Sequence, residues 1–177
     1  DGLYQFILNA DNTATITKYT GKEHKITIPA QVAQGTQTYP VTKIGDRVFS
    51  NYSYVLTSVQ IPDTVTEIGD NAFYNCDSLE SVTIQDNKPS RVKKIGRQAF
   101  MYCSALTDIS ILDSVTEIGS AAFYYCTQLK NVTIPEGVTS IADGMFSYCY
   151  SLHTVTLPNS VTAIEDRAFT GTALTQI

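Results

Sequence analysis

Apolar residues recur along most of the chain in a fixed order rather than at one helical or strand period, and residues 56–79 are representative. Leu56, Val59 and Ile61 are separated by polar residues, and Val59-Gln60-Ile61 alternates as a half-buried strand does. Pro62 closes that strand, because it has no N–H to continue a ladder. Val65-Thr66-Glu67-Ile68 predicts a second short extended piece, and Gly69 predicts a change of direction. Asp70 stands where an N-cap would, which predicts a short helical turn over 71–74. The same slot holds Asp46, Ser120, Asp143 and Asp166, with Arg97 as the exception.

This block returns along the chain. Its phenylalanine falls at Phe49, Phe73, Phe100, Phe123, Phe146 and Phe169, at intervals of 24, 27, 23, 23 and 23 residues. A fixed period of about 20–29 residues predicts a solenoid in which each block is one coil stacked on the next. Stacking aligns Val59, Val82, Ile109, Val132 and Val155 in one interior column, and Ile61, Ile84, Ile111, Ile134 and Leu157 in the next. The phenylalanines fill the opposite wall. The glycine column runs Gly45, Gly69, Gly96, Gly119 and then Ala142 and Glu165, so it does not read as an obligatory left-handed position.

The first 40 residues differ. Residues 3–8 and 13–19 are strand-like around the turn 9–12, which predicts a β-hairpin capping the first coil. Ile26-Thr27-Ile28-Pro29 matches the strand-and-proline part of the block, and 31–40 reads as a polar loop. The organisation expected is therefore a cap and lead-in strand over 1–40 and six repeats over 41–177, the last truncated inside a strand. An open end exposes core and strand edge, so continuation of the chain or cover by another is expected there.

Composition narrows the function classes. Charged residues make up only 16% of the chain, so its polar surface must be largely Thr, Ser, Asn and Gln. Net charge is −5, which argues against a nucleic-acid partner or an anionic membrane surface. No apolar run approaches the roughly 20 residues of a membrane-spanning helix. Cys76, Cys103, Cys126 and Cys149 each follow a repeat phenylalanine by three residues, with Tyr52 and Thr172 in the same slot of the end coils. That regularity reads as reduced, buried packing; an adjacent disulfide and a metal are the alternatives, though no ligand spacing of a metal site is present. No cofactor motif occurs. His24 and His153 stand far apart without a motif-like acidic partner, which gives no catalytic constellation.

The block as it stands at 115–135, Val-Thr-Glu-Ile-Gly-Ser-Ala-Ala-Phe-Tyr-Tyr-Cys-Thr-Gln-Leu-Lys-Asn-Val-Thr-Ile-Pro, resembles the BspA-like leucine-rich repeats of bacterial surface proteins. The segment Tyr39-Pro40-Val41-Thr42-Lys43-Ile44-Gly45 is similar to the lead-in those proteins use. Departures are Gln85 and Leu112 at proline positions, and a four-residue expansion between Ile84 and Val92. The resemblance implies a right-handed leucine-rich-repeat solenoid, a secreted or cell-surface setting, and adhesion to host or microbial protein or glycan. It supplies no catalytic residue and no particular ligand.

Three surfaces are candidates for contact. Eight of eleven tyrosines (Tyr52, Tyr54, Tyr74, Tyr102, Tyr124, Tyr125, Tyr148 and Tyr150) follow the repeat phenylalanine closely. They read either as lids over the coil turns or as a partner-binding face, with Tyr74, Tyr102, Tyr124, Tyr125, Tyr148 and Tyr150 the binding candidates. The outward strand positions Ser58, Gln60, Ser81, Thr83, Asp108, Ser110, Asn131, Thr133, Thr154 and Thr156 form a mostly uncharged platform that any soluble β-face also needs. Lys88, Arg91, Lys93, Lys94 and Arg97 cluster at the expansion and read as an anionic-ligand patch or as a solvated loop. Two functions follow: a non-enzymatic extracellular recognition module, or a structural spacer within a longer surface protein.

Overall fold

The computed structural model describes residues 2–52, 55–85, 88–107, 109 and 114–175. Fourteen short strands and a set of turns build a β-solenoid, with no α-helix among the described residues. One wall carries strands from alternate parts of each coil: β5 (Gln37–Ile44), β7 (Glu67–Ile68), β9 (Lys94–Ile95) and β10 (Glu117–Ile118) pair in parallel, as do β12 (Ser140–Ile141) and β14 (Ala163–Ile164). A second wall holds β3 (Lys25–Thr27), β6 (Ser58–Ile61) and β8 (Ser81–Ile84), then β11 (Asn131–Thr133) beside β13 (Thr154–Thr156). The expected columns stack in register: Val59 faces Val82 and Val132 faces Val155, with Val59, Val82, Ile109 and Val132 buried and Val155 half-buried. Ile61 and Ile134 are buried, Ile84 and Leu157 half-buried, and Ile111 lies outside the described residues.

The third side of each coil is the phenylalanine corner. Phe49, Phe73, Phe100, Phe123, Phe146 and Phe169 stack face to face with centroids 5.0, 5.1, 5.4, 5.6 and 5.7 Å apart and planes within 7°. Tyr19 closes the stack, 5.3 Å from Phe49 and tilted. It belongs to β2 (Ala14–Tyr19), which pairs antiparallel with β1 (Tyr4–Leu8), the expected N-terminal hairpin.

The corner is not a helical turn, contrary to expectation. The residues two before and two after each phenylalanine have left-handed φ, as in Asn71 (+55°) and Asn75 (+57°) around Phe73. A right-handed helix cannot run through them. Their amides point instead at the next coil: Asn71, Phe73 and Asn75 donate to the carbonyls of Arg97, Ala99 and Met101 at 2.9, 2.8 and 2.8 Å. Asp70 is accordingly no N-cap. Its carboxylate accepts from the amide of Arg97 in the following coil at 2.8 Å, as Asp46 accepts from Asp70 at 2.9 Å.

Two further expectations change. Residues 31–40 are not a loop: β4 (Gln31–Gln34) and β5 form an antiparallel hairpin turned at Gly35 (φ +63°). Gly69 and Gly96 do not have positive φ, but space restricts both. A Cβ on Gly69 would sit 2.4 Å from Asp46 Oδ1 and 2.8 Å from the Asp46 backbone nitrogen. On Gly96 it would meet Asp70 Oδ1 at 2.5 Å. The same carboxylates that tie coil to coil exclude a side chain there.

Candidate functional site

The tyrosines come together where the corner backbone turns outward. The position two after the phenylalanine is left-handed in every coil: Asn51, Asn75, Tyr102, Tyr125, Tyr148 and Gly171, with φ from 57° to 72°. Asn and Gly suit that conformation, whereas for a bulky residue it costs roughly 1–2 kcal/mol. Three consecutive coils nevertheless hold tyrosine. Their amides are anchored to the next coil, donating to the carbonyls of Tyr124, Ser147 and Thr170 at 2.9, 2.8 and 2.7 Å.

The six candidate rings form one continuous cluster. Tyr74 meets Tyr102 edge to face at 5.8 Å, and Tyr102 meets Tyr124 and Tyr125 at 5.7 and 5.6 Å. Tyr124 meets Tyr148 at 5.3 Å, and Tyr150 lies 5.6 and 6.1 Å from Tyr125 and Tyr148. Tyr74, Tyr102 and Tyr124 are half-buried, while Tyr125, Tyr148 and Tyr150 expose 36%, 36% and 52% of their surface. Partial desolvation, followed by the surrounding phenols, raises the pKa of Tyr124, and desolvation with Tyr125 beside it does the same for Tyr150. Tyr52 stands apart as a lid: its hydroxyl donates to the Tyr19 carbonyl at 2.7 Å and its ring packs on Tyr19 and Phe49. Tyr54 lies outside the described residues.

Charge is missing around five of these rings, whereas Tyr74 lines a shallow depression with Arg47. Residues 98–105, 121–128 and 144–151, which carry the corner in three successive coils, contain no Asp, Glu, Lys, Arg or His. That gap was visible in the sequence, but only the coil geometry shows that the three stretches lie side by side. By contrast, the basic residues are partly dispersed. Lys88 pairs with Asp63 at 3.3 Å, and Lys94 pairs with Glu117 at 3.0 Å, which raises the pKa of its amine. Lys93 donates to the Ser114 carbonyl at 3.2 Å, and Arg91 is exposed. Arg97 is exposed at the phenylalanine corner, lining a shallow depression with Asp46, Arg47, Asp70, Asn71 and Gln98. Asp86 and Asn87 of the expansion lie outside the described residues.

On the strand platform, Ser58 faces Ser81, Gln60 faces Thr83, Asn131 faces Thr154 and Thr133 faces Thr156. Asp108 and Ser110 lie outside the described residues. The four cysteines are buried free thiols, each donating to the carbonyl of a phenylalanine in the preceding coil at 3.0–3.4 Å. Burial pushes Cys76 and Cys149 up to about 12 and Cys103 and Cys126 well above their ordinary value. Tyr52 and Thr172 in the same slot also donate a hydroxyl to a carbonyl, at 2.7 and 2.9 Å. The shared chemistry of Tyr, Cys and Thr at this position is one X–H donor, a signal the sequence contained. The imidazoles of His24 and His153 lie 2.7 and 2.9 Å from the Val55 and Ser151 carbonyls, and no group of metal-ligating side chains occurs among the described residues. Among the described residues, no helix is long and apolar enough to cross a membrane.

A repeating coil with a stacked phenylalanine spine and a polar exterior defines a leucine-rich-repeat solenoid, a protein-interaction or surface module. Residues 24–90 and 42–175 match the BspA-type leucine-rich repeat region in six copies, and the chain belongs to that family. It is similar to a leucine-rich cell surface protein from Faecalibacterium prausnitzii A2-165, with 83% identity over 100% of this chain and 47% of that one, at a TM-score of 0.98. The chain thus spans less than half the length of that relative. A leucine-rich repeat protein from Bacteroides ovatus ATCC 8483 shares 35% identity over 95% of this chain and 43% of its own, with a TM-score of 0.80. The leucine-rich repeat protein of T. pallidum shares 29% identity over 92% of this chain and 83% of its own, with a TM-score of 0.68. No curated protein matches the chain.

Proposed function

We propose that this chain is a non-enzymatic recognition module at the bacterial cell surface, adhering to a partner through the corner built by Tyr74, Tyr102, Tyr124, Tyr125, Tyr148 and Tyr150. The observation that carries this reading is the left-handed backbone at Tyr102, Tyr125 and Tyr148, where the other coils place Asn or Gly. Left-handed backbone is common to every coil, Arg47, Gln98, Ala121 and Arg167 included, so what marks this corner is that three successive coils place a large ring on it. Packing does not require it, because the coils holding Asn51 and Asn75 stack their phenylalanines just as closely. Tyrosine is also the residue that gives most contact area for least lost side-chain freedom. The surface setting is supported by the description of the Faecalibacterium relative.

A spacer role is the second reading, favoured by the greater length of that relative, of which this chain spans under half. An array of extracellular-matrix proteins and glycans, probed with the native chain and with Tyr125→Ala/Tyr148→Ala, separates the two. Recognition requires a saturable hit that the double variant loses while keeping its β-rich circular dichroism. Silence of the native chain across the array leaves the spacer, whereas a hit the variant retains moves recognition to another face.

A further inference from the structure

Resting on that reading, we infer that the tyrosine corner takes an uncharged glycan, laid along the solenoid axis as a single extended oligosaccharide. Four properties of the corner select this ligand. The first is its neutrality: three adjoining eight-residue stretches carry no charged side chain in a chain that is 16% charged. An acidic or basic partner would find no complement here, and its attraction would have to come from elsewhere.

The second is chemical pairing. A pyranose ring offers apolar C–H faces rimmed by hydroxyls. Tyrosine offers an electron-rich face with a hydroxyl at its edge. Tyr125, Tyr148 and Tyr150 are the exposed rings of the cluster, and the exposed Gln128 and partly exposed Ser151 belong to the same segments. Ser104 and Thr127 do not compete, since their hydroxyls already donate to the Asp77 and Ser104 carbonyls of neighbouring coils at 3.2 and 3.1 Å.

Third, the corner has the shape of a strip. From Tyr74 to Tyr148 it crosses three coil steps of about 4.8 Å, about 15 Å in all, and is one corner wide. Each partner in a standard protein interface commits about 800 Å², far more than such a strip provides. A linear ligand needs no more width than this. Fourth, the same slot holds Tyr102, Tyr125 and Tyr148 in three successive coils, with centroids 5.6 and 6.5 Å apart, so that each coil step along the axis brings a further tyrosine ring to the ligand.

The test is titration with neutral oligosaccharides of the β-glucan, xylan, mannan and galactan types, at low and at high salt. The chain has no tryptophan, so its intrinsic emission comes from its eleven tyrosines, six of which form the corner. The inference expects one of these probes to saturate, with a Kd unchanged by salt and at least about tenfold weaker in Tyr150→Ala, one aromatic anchor being worth that much. Tyr150 is the most exposed ring of the cluster, so this variant keeps its fold; Tyr125→Phe, which retains the ring and drops the hydroxyl, provides a second reading. Silence of the whole neutral panel overturns the inference, as does a sulfated glycan whose binding fades with salt. If a matrix protein binds instead, and the tyrosine variants abolish it, the ligand class is wrong while the recognition surface stands. If no binding of any kind depends on the tyrosines, both fall.

Discussion

The strain at the tyrosine corner has a direct thermodynamic consequence. Tyr125 has φ +63° and packs against Tyr102 and Tyr150 with centroids 5.6 Å away in both cases. Truncating it to alanine removes these ring contacts, roughly 0.5–1.5 kcal/mol each, with the looser ones to Tyr124 and Tyr148 at 6.5 Å, and leaves a β-carbon on a left-handed backbone. Truncating it to glycine removes the same contacts and also the strain, roughly 1–2 kcal/mol, against a greater loss of chain entropy of about 0.5–1 kcal/mol. Glycine should therefore exceed alanine by about 0.5–1 kcal/mol at this site. Asparagine, which Asn51 and Asn75 place in the same slot, should also exceed alanine. In a chain of this length that corresponds to a Tm difference of about 1–4 °C. The control is Thr133 in β11, an ordinary strand position where glycine should be worse than alanine by a similar amount. Thermal and urea melts of the paired variants decide it. If Tyr125→Ala proves as stable as Tyr125→Gly, the corner is unstrained and the principal support for the proposed function is gone.

Phe123→Ala should cost roughly 3–5 kcal/mol, because it breaks the stack on both sides, with Phe100 at 5.4 Å and Phe146 at 5.6 Å. A loss under about 1 kcal/mol in urea would mean that the spine does not hold the coils together. Alkali should destabilise the fold. The four thiols and Tyr4, which burial and Glu23 push up to about 12, have folded pKa values above their ordinary ones. Their contribution is complete below the ordinary thiol value of 9.0 and is lost as pH rises through the folded values, at about 1 kcal/mol per thiol per pH unit. Urea midpoints that stay flat from about pH 8 to 11 would contradict the burial of the thiol column.

Much of this molecule was legible in its sequence, and the parts that were not share one physical cause. The phenylalanine period, the Val and Ile columns and the first hairpin follow from hydrophobic spacing alone, since side chains repeating once per coil must stack. The corner misleads because Asp70-Asn71-Ala72-Phe73-Tyr74 reads as a capped helical start. What defeats the helix is a pair of left-handed residues, and in several coils these are Arg, Gln, Ala or Tyr, types that do not announce such a backbone. The aspartates were recognisable as amide acceptors, but not that the amide belongs to the next coil. The hairpin over 31–44 was hidden by polar composition: its strands are largely exposed, so they show no alternation of apolar residues. Within the tyrosine cluster, the repeated slot of Tyr102, Tyr125 and Tyr148 could be read directly. That Tyr74, Tyr124 and Tyr150 join the same surface depended on how far each ring reaches from its coil.

The most direct test of the account is whether a partner rests on those rings. Tyrosine ring resonances of the isotopically labelled chain should be followed while the ligand found on the array is added. Contact at the corner predicts shifts or broadening of Tyr125, Tyr148 and Tyr150, with Tyr39 on the β4–β5 hairpin unmoved. Saturable binding that leaves the cluster unchanged would contradict it and move recognition to another face of the solenoid.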